Sequence, residues 1–391
     1  MRKLLLSLLG LLTSLTGLLI LLPIIESLST PQIILNEAPW IPAAAGTAAA
    51  GLSLRRRAPL GWAFGLFGAA LSLVPLMQVR RAIANMDQTM REGFGADYES
   101  CIPPIMQQRV APVRLSLTNC FGAAIRATRD TIHVKYDVPY LERPTRTLKL
   151  DVYYPPVAPA VGDRYPAVLV LHAGGWRNGD KGEYFAANHR YLAAQGYVVF
   201  DAQYRFTQEI RWSGQLDDVR EALRWIKSHA AEYQVDPTKI VLMGRSAGGH
   251  LALSAAYRAL GNDEDTAVCG VVGIYAPINL RITGEDHDIR VTSLLGGTSY
   301  EIPEVYADAS PLDFAQGDHI PPTLLLHGYM DDVVSPVHSE LLLNKLKINR
   351  TPAAVLRVPW ARHGFDAVMV GTGAQITQYY LDRFLAWCIY R

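Results

Sequence analysis

Between Val241 and Leu253 the chain passes from an apolar run, Val241-Leu242-Met243, through Gly244-Arg245-Ser246-Ala247-Gly248-Gly249-His250 into an Ala/Leu-rich stretch. A strand that breaks at a glycine-flanked serine and restarts as a helix constrains the fold more than any other part of this sequence. The turn is so tight that a Cβ at Gly244 or Gly248 would collide across it, and the serine is left on a strained corner with its hydroxyl exposed. Ser246 is therefore a candidate nucleophile rather than a loop serine.

A serine hydroxyl is a weak nucleophile near neutral pH. It needs a general base in hydrogen-bond reach and a group that orients the base. On an elbow of this kind the acid and then the base come from downstream. His363 follows the apolar run Ala353–Val358 and precedes Gly364, so it sits on a loop at a strand end. The other late histidines fit less well. His327 ends a buried strand and is expected to pack beneath the site. His338 falls on a predicted helix surface, His287 among acidic loop residues, and His319 just before a strand. The acid is Asp331 or Asp332, both just past the strand Thr323–His327, where one of the two can instead cap a turn. Upstream, the strand Val168–Leu171 ends in His172-Ala173-Gly174-Gly175-Trp176. A glycine pair at a strand end can aim backbone N–H groups at a reacting carbonyl oxygen, and the N–H of Ala247 would complete such an oxyanion hole.

The segments HAGGW (His172 to Trp176), DAQYR (Asp201 to Arg205), GRSAGGH (Gly244 to His250), LLHGYMDDVVSP (Leu325 to Pro336) and HGF (His363 to Phe365) together resemble the α/β-hydrolase superfamily. The likeness covers about residues 130–391. It is greatest to the esterase branch near the hormone-sensitive-lipase and carboxylesterase families, with feruloyl-esterase-like, formamidase-like and isoprenylcysteine-methylesterase-like relatives. The resemblance implies an α/β fold with a mostly parallel eight-stranded sheet flanked by helices. It favours Asp331 as the acid, giving a triad of Ser246, Asp331 and His363 and an oxyanion hole of Gly174, Gly175 and Ala247. It implies no cofactor and no metal. Ala173 departs from the pattern, which usually has glycine there, and leaves open which N–H groups form the hole. The implied chemistry is cleavage of a small-molecule or lipid ester through an acyl-enzyme. An amidase, formamidase, peptidase or acyltransferase would use the same triad. A catalytically silent hydrolase fold serving as a binding module is the alternative from another class.

Alternation along residues 131–391 agrees with one catalytic domain. Strands are expected at 131–138, 147–154, 167–172, 197–204, 240–243, 268–275, 323–327 and 353–358. Helices are expected at 182–195, 214–232, 247–260, 336–347 and 373–390. Val/Leu-rich strands separated by helices indicate a parallel sheet covered on both faces. Residues 278–311 interrupt the alternation as a lid-like insertion, with an acidic cluster at Gly284–Asp288 that reads as a solvated loop.

The front of the chain differs in kind. Residues 1–81 are expected to form a transmembrane region of two or three helices: Leu4–Ile25, a marginal Ala38–Leu54, and Leu60–Val79. Ser27-Leu28-Ser29 also resembles a cleavage site. Arg2-Lys3 and Arg55-Arg56-Arg57 favour the cytoplasm. Three spans then put the catalytic domain on the extracytoplasmic side, which is the preferred arrangement, although Arg80-Arg81 opposes it. Two spans would return the domain to the cytoplasm. Residues 82–130 read as a linker or packing arm, in which Cys101 and Cys120 can close a disulfide loop. The net charge of +1 leaves no electrostatic footprint for nucleic acid. Nothing in the sequence fixes the oligomeric state.

Overall fold

The computed structural model describes residues 2–22, 29–122, 131–159, 162–258, 265–282 and 288–391. The suggested cleavage site at Ser27-Leu28 and the acidic positions 284–287 lie outside the described residues.

The N-terminal region forms α1 (Arg2–Leu21), α2 (Ser29–Glu37), α3 (Trp40–Arg55), α4 (Pro59–Ser72) and α5 (Val74–Phe94). Two stretches, Arg2–Leu21 and Pro59–Phe94, are long and apolar enough to cross a membrane. With 16 residues, α3 is about 24 Å long, short of the ~30 Å hydrocarbon layer. It nevertheless joins α1 and α4 in a bundle. Leu4, Leu8, Leu12 and Leu15 of α1 face outward, while Gly10, Thr13, Ser14 and Gly17 are buried. Small residues inside and leucines outside reverse the pattern of a soluble bundle and match helix packing in lipid. The backbones touch: a Cβ on Gly10 would lie 2.6 Å from the Gly61 carbonyl oxygen, one on Gly17 2.6 Å from that of Gly68, and one on Gly46 2.6 Å from that of Gly65. The first two pairs advance in step, so α1 and α4 run parallel. Ser53 meets Gly61, further along α3 but earlier in α4 than the Gly46–Gly65 pair, so α3 runs antiparallel. Arg2, Lys3 and Arg55–Arg57 therefore gather at one end of the bundle, and the catalytic domain meets the other.

That domain holds one eight-stranded sheet: β1 (Val134–Glu142), β2 (Thr147–Tyr153), β3 (Tyr165–Leu171), β4 (Val198–Ala202), β5 (Val235–Arg245), β6 (Gly270–Ile274), β7 (Thr323–Gly328) and β8 (Ala353–Val358). Their spatial order is β1-β2-β4-β3-β5-β6-β7-β8. β1–β2 and β2–β4 pair antiparallel and the remaining neighbours are parallel. This is the mostly parallel α/β sheet expected from the sequence. The interior helices are α6 (Ala186–Ala194), α7 (Trp212–Ser228), α8 (Ala247–Tyr257), α9 (Ile289–Leu295), α10 (Pro303–Asp308), α11 (Val337–Ile348) and α12 (Thr372–Tyr390). Strand alternation divides the core in two. Leu169, Leu171 and Leu242 face α7, α8 and α11, whereas Val168, Val170, Val241 and Met243 face α5, α6 and α12.

Helix α5 thus crosses the expected boundary at residue 81 and belongs to the catalytic core. Met86, Met90 and Phe94 are buried, with the Phe94 ring 5.1 Å from Phe384 and 4.9 Å from Trp387. The segment after it stays on the domain, with the Ala111 N–H on the Asp382 carboxylate and Arg114 paired with Asp87. Cys101 and Cys120 are both free thiols, and the Cys120 sulfur accepts from the Gln375 amide. The suggested disulfide loop does not form here.

Candidate active site

Ser246, Asp331 and His363 follow β5, β7 and β8, and the glycine pair follows β3, so all four features gather at the carboxyl ends of parallel strands. At Ser246 the backbone takes φ 52° and ψ −120° between the last residue of β5 and the first of α8. A non-glycine residue in such a conformation costs about 1–3 kcal/mol and needs its surroundings to enforce it. The Ser246 N–H is held by the Ile274 carbonyl at 2.9 Å. The flanking glycines allow the turn: a Cβ on Gly244 would lie 2.1 Å from the Gly248 carbonyl oxygen, and one on Gly248 2.4 Å from those of Leu171 and His172.

His363 Nε2 lies 3.0 Å from Ser246 Oγ, and His363 Nδ1 lies 2.8 Å from Asp331 Oδ2. The three side chains form one hydrogen-bonded line. The other oxygen of Asp331 accepts the N–H groups of Val333 and Val334, each at 2.9 Å. Burial pushes the Asp331 carboxyl up. The adjacent His363 charge and hydrogen bonds from His327 and His363 outweigh it and hold the carboxyl well below the usual carboxylate range. Asp331 therefore stays ionised and keeps His363 protonated at Nδ1, with Nε2 turned toward the serine. Asp332, the alternative left open by the doublet, takes no part in this line and sits beside the Arg362 charge.

Two histidines fall into place around the acid. His327 is fully buried beneath the site, bonded to Ser339 Oγ at 2.7 Å and the Val334 carbonyl at 3.0 Å, with Asp331 3.4 Å away. His338 corrects the expectation of a helix surface: it is fully buried, and its Nδ1 accepts the Ile278 N–H at 3.2 Å. His338 stands four residues before Leu342 and eight before Leu346, on the same inward face of α11. That leucine stripe is the signal that would have placed it inside.

The loop after β3 turns through Gly174 (φ 137°), Gly175 (φ 58°) and Trp176 (φ 61°). A Cβ on Gly174 would lie 1.9 Å from the Asn178 carbonyl oxygen, so this position admits only glycine. Ala173 is not in the left-handed region, and the alanine is accommodated without strain. Among the described residues the N–H groups of Gly174 and Gly175 have no hydrogen-bond partner. They border a cavity of about 580 Å³ whose lining includes Ser246, His363, Arg177 and Arg290. Arg290 belongs to α9 in the 278–311 insertion, which therefore overhangs the mouth of this cavity.

Sequence reasoning missed the layer that holds these loops. Tyr204 OH donates to the His172 carbonyl at 3.0 Å, and its ring stacks on His172 at 4.3 Å. Trp176 Nε1 donates to His250 Nδ1 at 3.2 Å, and His250 Nε2 donates to the Ala309 carbonyl at 2.7 Å. Burial pushes His250 down to about 4, so the ring is neutral and serves as a bridge between the glycine loop and the insertion. Beside the serine, Arg245 pairs with Asp366 at 2.6 Å, and Tyr275 OH donates to the same carboxylate at 2.6 Å while its ring lies 4.5 Å from that of His363. The quoted motifs contain Tyr204, Trp176, His250 and Arg245, but their partners lie 32 to 121 residues away, where no local pattern reaches.

Residues 150–346 match the model of the BD-FAE family. The chain is 27% identical over 341 residues to the probable carboxylic ester hydrolase LipM of Mycobacterium tuberculosis, covering 84% of this chain and 78% of LipM. It is 30% identical over 215 residues to the esterase LipC of the same organism, covering 51% and 53%. Among solved structures, the propionate-bound esterase Est2 of Thermogutta terrifontis superposes with a TM-score of 0.52 at 26% identity, over 66% of this chain and 92% of Est2.

Proposed function

From a chain that belongs to the BD-FAE family of α/β-hydrolase carboxylesterases, and is a carboxylic ester hydrolase, we infer a membrane-anchored serine esterase that works through an acyl-enzyme. The observation that carries this reading is the line from Ser246 Oγ through His363 to Asp331, set beside two unengaged backbone N–H groups.

In this mechanism His363 Nε2 takes the Ser246 proton as Oγ attacks the ester carbonyl carbon. The carbonyl oxygen becomes an oxyanion and accepts N–H groups from Gly174, Gly175 and Ala247. Each such donor is typically worth about two to three orders of magnitude in rate. The tetrahedral intermediate collapses, His363 returns the proton to the departing alkoxide, and an acyl-Ser246 ester remains. Water, deprotonated by His363, attacks that ester; the carboxylic acid leaves and Ser246 regains its proton. Asp331 stays ionised throughout, orienting His363 and stabilising the imidazolium.

The bundle of α1, α3 and α4 is assigned to the membrane, and residues 131–391 with α5 packed on them to catalysis, with the insertion at 278–311 shaping the mouth. The gathering of Arg2, Lys3 and Arg55–Arg57 at the bundle end away from the catalytic domain supports an extracytoplasmic domain, since basic residues are retained in the cytoplasm. Protease added once any outer barrier is removed should then cut the domain; a domain shielded until the membrane it is anchored in is opened contradicts this sidedness. The propionate in the Thermogutta esterase supports short acyl groups as first substrates. The test of the chemistry uses a fluorophosphonate label and p-nitrophenyl acetate on the full chain. The wild type should take one label per chain and turn over, and Ser246→Ala should do neither. Turnover that survives Ser246→Ala sinks the mechanism.

A further inference from the structure

The link between the apolar segments Leu4–Ile25 and Ala38–Leu54 holds Glu26 and Glu37 and no Lys or Arg. In the structure it is α2, and three of its side chains, Gln32, Asn36 and Glu37, are fully buried. A buried carboxamide without partners would cost several kcal/mol in an apolar setting (about 2–7), so what it bonds to is informative. Asn36 Nδ2 donates to the Trp360 carbonyl at 2.7 Å and to the Ile20 carbonyl at 3.3 Å, and touches Met330 Sδ at 4.0 Å. Trp360 stands three residues before His363, Met330 immediately before Asp331, and Ile20 in the last turn of α1. The two loops are tied to each other by the Met330 N–H on the Ala361 carbonyl at 3.0 Å. Arg362, next to His363, reaches the Leu22 carbonyl just beyond α1. The carboxamide thus lies where the end of the membrane bundle, the acid loop and the base loop converge.

We propose that Asn36 is a positioning residue for the reaction: it clamps the Trp360–Arg362 backbone, and so the imidazole of His363, against the end of α1, making turnover depend on the docked N-terminal helices. This rests on the Ser246–His363–Asp331 reading above. A base displaced by about 1 Å can lose about a hundredfold in rate. The Asn36 bond constrains the loop three residues from the ring, where such a displacement arises. The apolar helices are then part of the catalytic apparatus and not only its tether.

The test uses the full chain in detergent. Asn36→Asp keeps shape and removes the N–H donors, Asn36→Ser removes the reach, and Glu37→Gln alters the same helix at its bonds to the start of α12 while keeping an acceptor beside the Trp360 side chain. Reactive serines are counted by fluorophosphonate titration, and kcat and KM for p-nitrophenyl acetate are expressed per titrated serine, so poorly folding protein is still read. Both Asn36 variants should lose about ten- to a hundredfold in kcat per titrated serine with little change in KM, while Glu37→Gln keeps wild-type turnover. A reduced titre with unchanged kcat per serine, or no titratable serine in either variant, assigns Asn36 to folding alone and overturns the proposal. Wild type that neither labels nor turns over overturns the serine reading together with the proposal. An active wild type with unchanged Asn36 variants overturns the proposal by itself.

Discussion

Glu37 is a carboxyl with a large, testable conflict built into it. It is completely buried, and Oε2 accepts the N–H groups of Gly373 at 2.7 Å and Ala374 at 3.3 Å at the start of α12. Those donors and the helix terminus favour the carboxylate. The Trp360 side chain favours it too, while Asp366 lies near enough to repel a second charge. Burial wins, pushing Glu37 from 4.5 up to about 8. Below pH 4.5 the group is protonated in folded and unfolded chains alike, and its favourable contribution is fully present. Between 4.5 and about 8 only the unfolded chain releases the proton, so stability falls by about 1.4 kcal/mol per pH unit. The full difference is about 5 kcal/mol, reached above the folded value. Glu37→Gln keeps an acceptor for the two N–H groups without a charge to bury. We expect its melting temperature in detergent to match wild type near pH 5 and to exceed it increasingly toward pH 9. For a chain of this size about 2 °C accompanies each kcal/mol, so the gap opens by several degrees. Parallel melting curves across that range, or a gap that closes as pH rises, would show that Glu37 is ionised in the fold and refute the reasoning.

Other consequences follow from the geometry. Asp331→Asn should lower kcat by about four orders of magnitude with the fold intact, because the His363 tautomer is lost, whereas Asp332→Asn should stay within about twofold in the same esterase assay. Gly244→Ala drives a Cβ to 2.1 Å from the Gly248 carbonyl oxygen; we expect a loss of at least about 2 kcal/mol in urea unfolding together with reduced fluorophosphonate labelling, and a wild-type profile would contradict the packing described. The buried Arg245–Asp366 pair predicts that Arg245→Met alone costs about 3–5 kcal/mol, while Arg245→Met with Asp366→Leu recovers most of it in a double-mutant cycle. Additive losses would count against that pair.

The sheet was legible in the sequence because its strands are short Val/Leu runs bounded by Gly, Pro and Asp. β8 begins and ends as the pattern requires, at Ala353 and Val358. β5 starts earlier than its pattern, at Val235, since Pro237 hides an extension whose first residue pairs with Tyr165 across an irregularity. The positions of Ser246, Asp331 and His363 were legible for a related reason: each follows a recognisable strand at the same edge of the sheet. Choosing Asp331 over Asp332 was not a local matter, because both follow β7 and only the three-dimensional turn decides which carboxylate meets the ring. Asn36 and Glu37 were illegible. A polar pair between apolar segments reads as solvated, and the partners that bury it, Trp360 and Gly373, lie more than 300 residues away.

That separation bears on how the chain is made. Residues 2–37 leave the ribosome more than 300 residues ahead of the backbone groups that complete their burial, from Trp360 to Ala374. Domains generally fold as they emerge, but this one must keep an early polar segment waiting beside its apolar bundle until the final helix arrives. A chain released before Thr372 would carry a full apolar bundle and all eight strands, yet Glu37 would lack both of its N–H donors. Synthesis of residues 372–390 is thus the step that closes Glu37 into the fold.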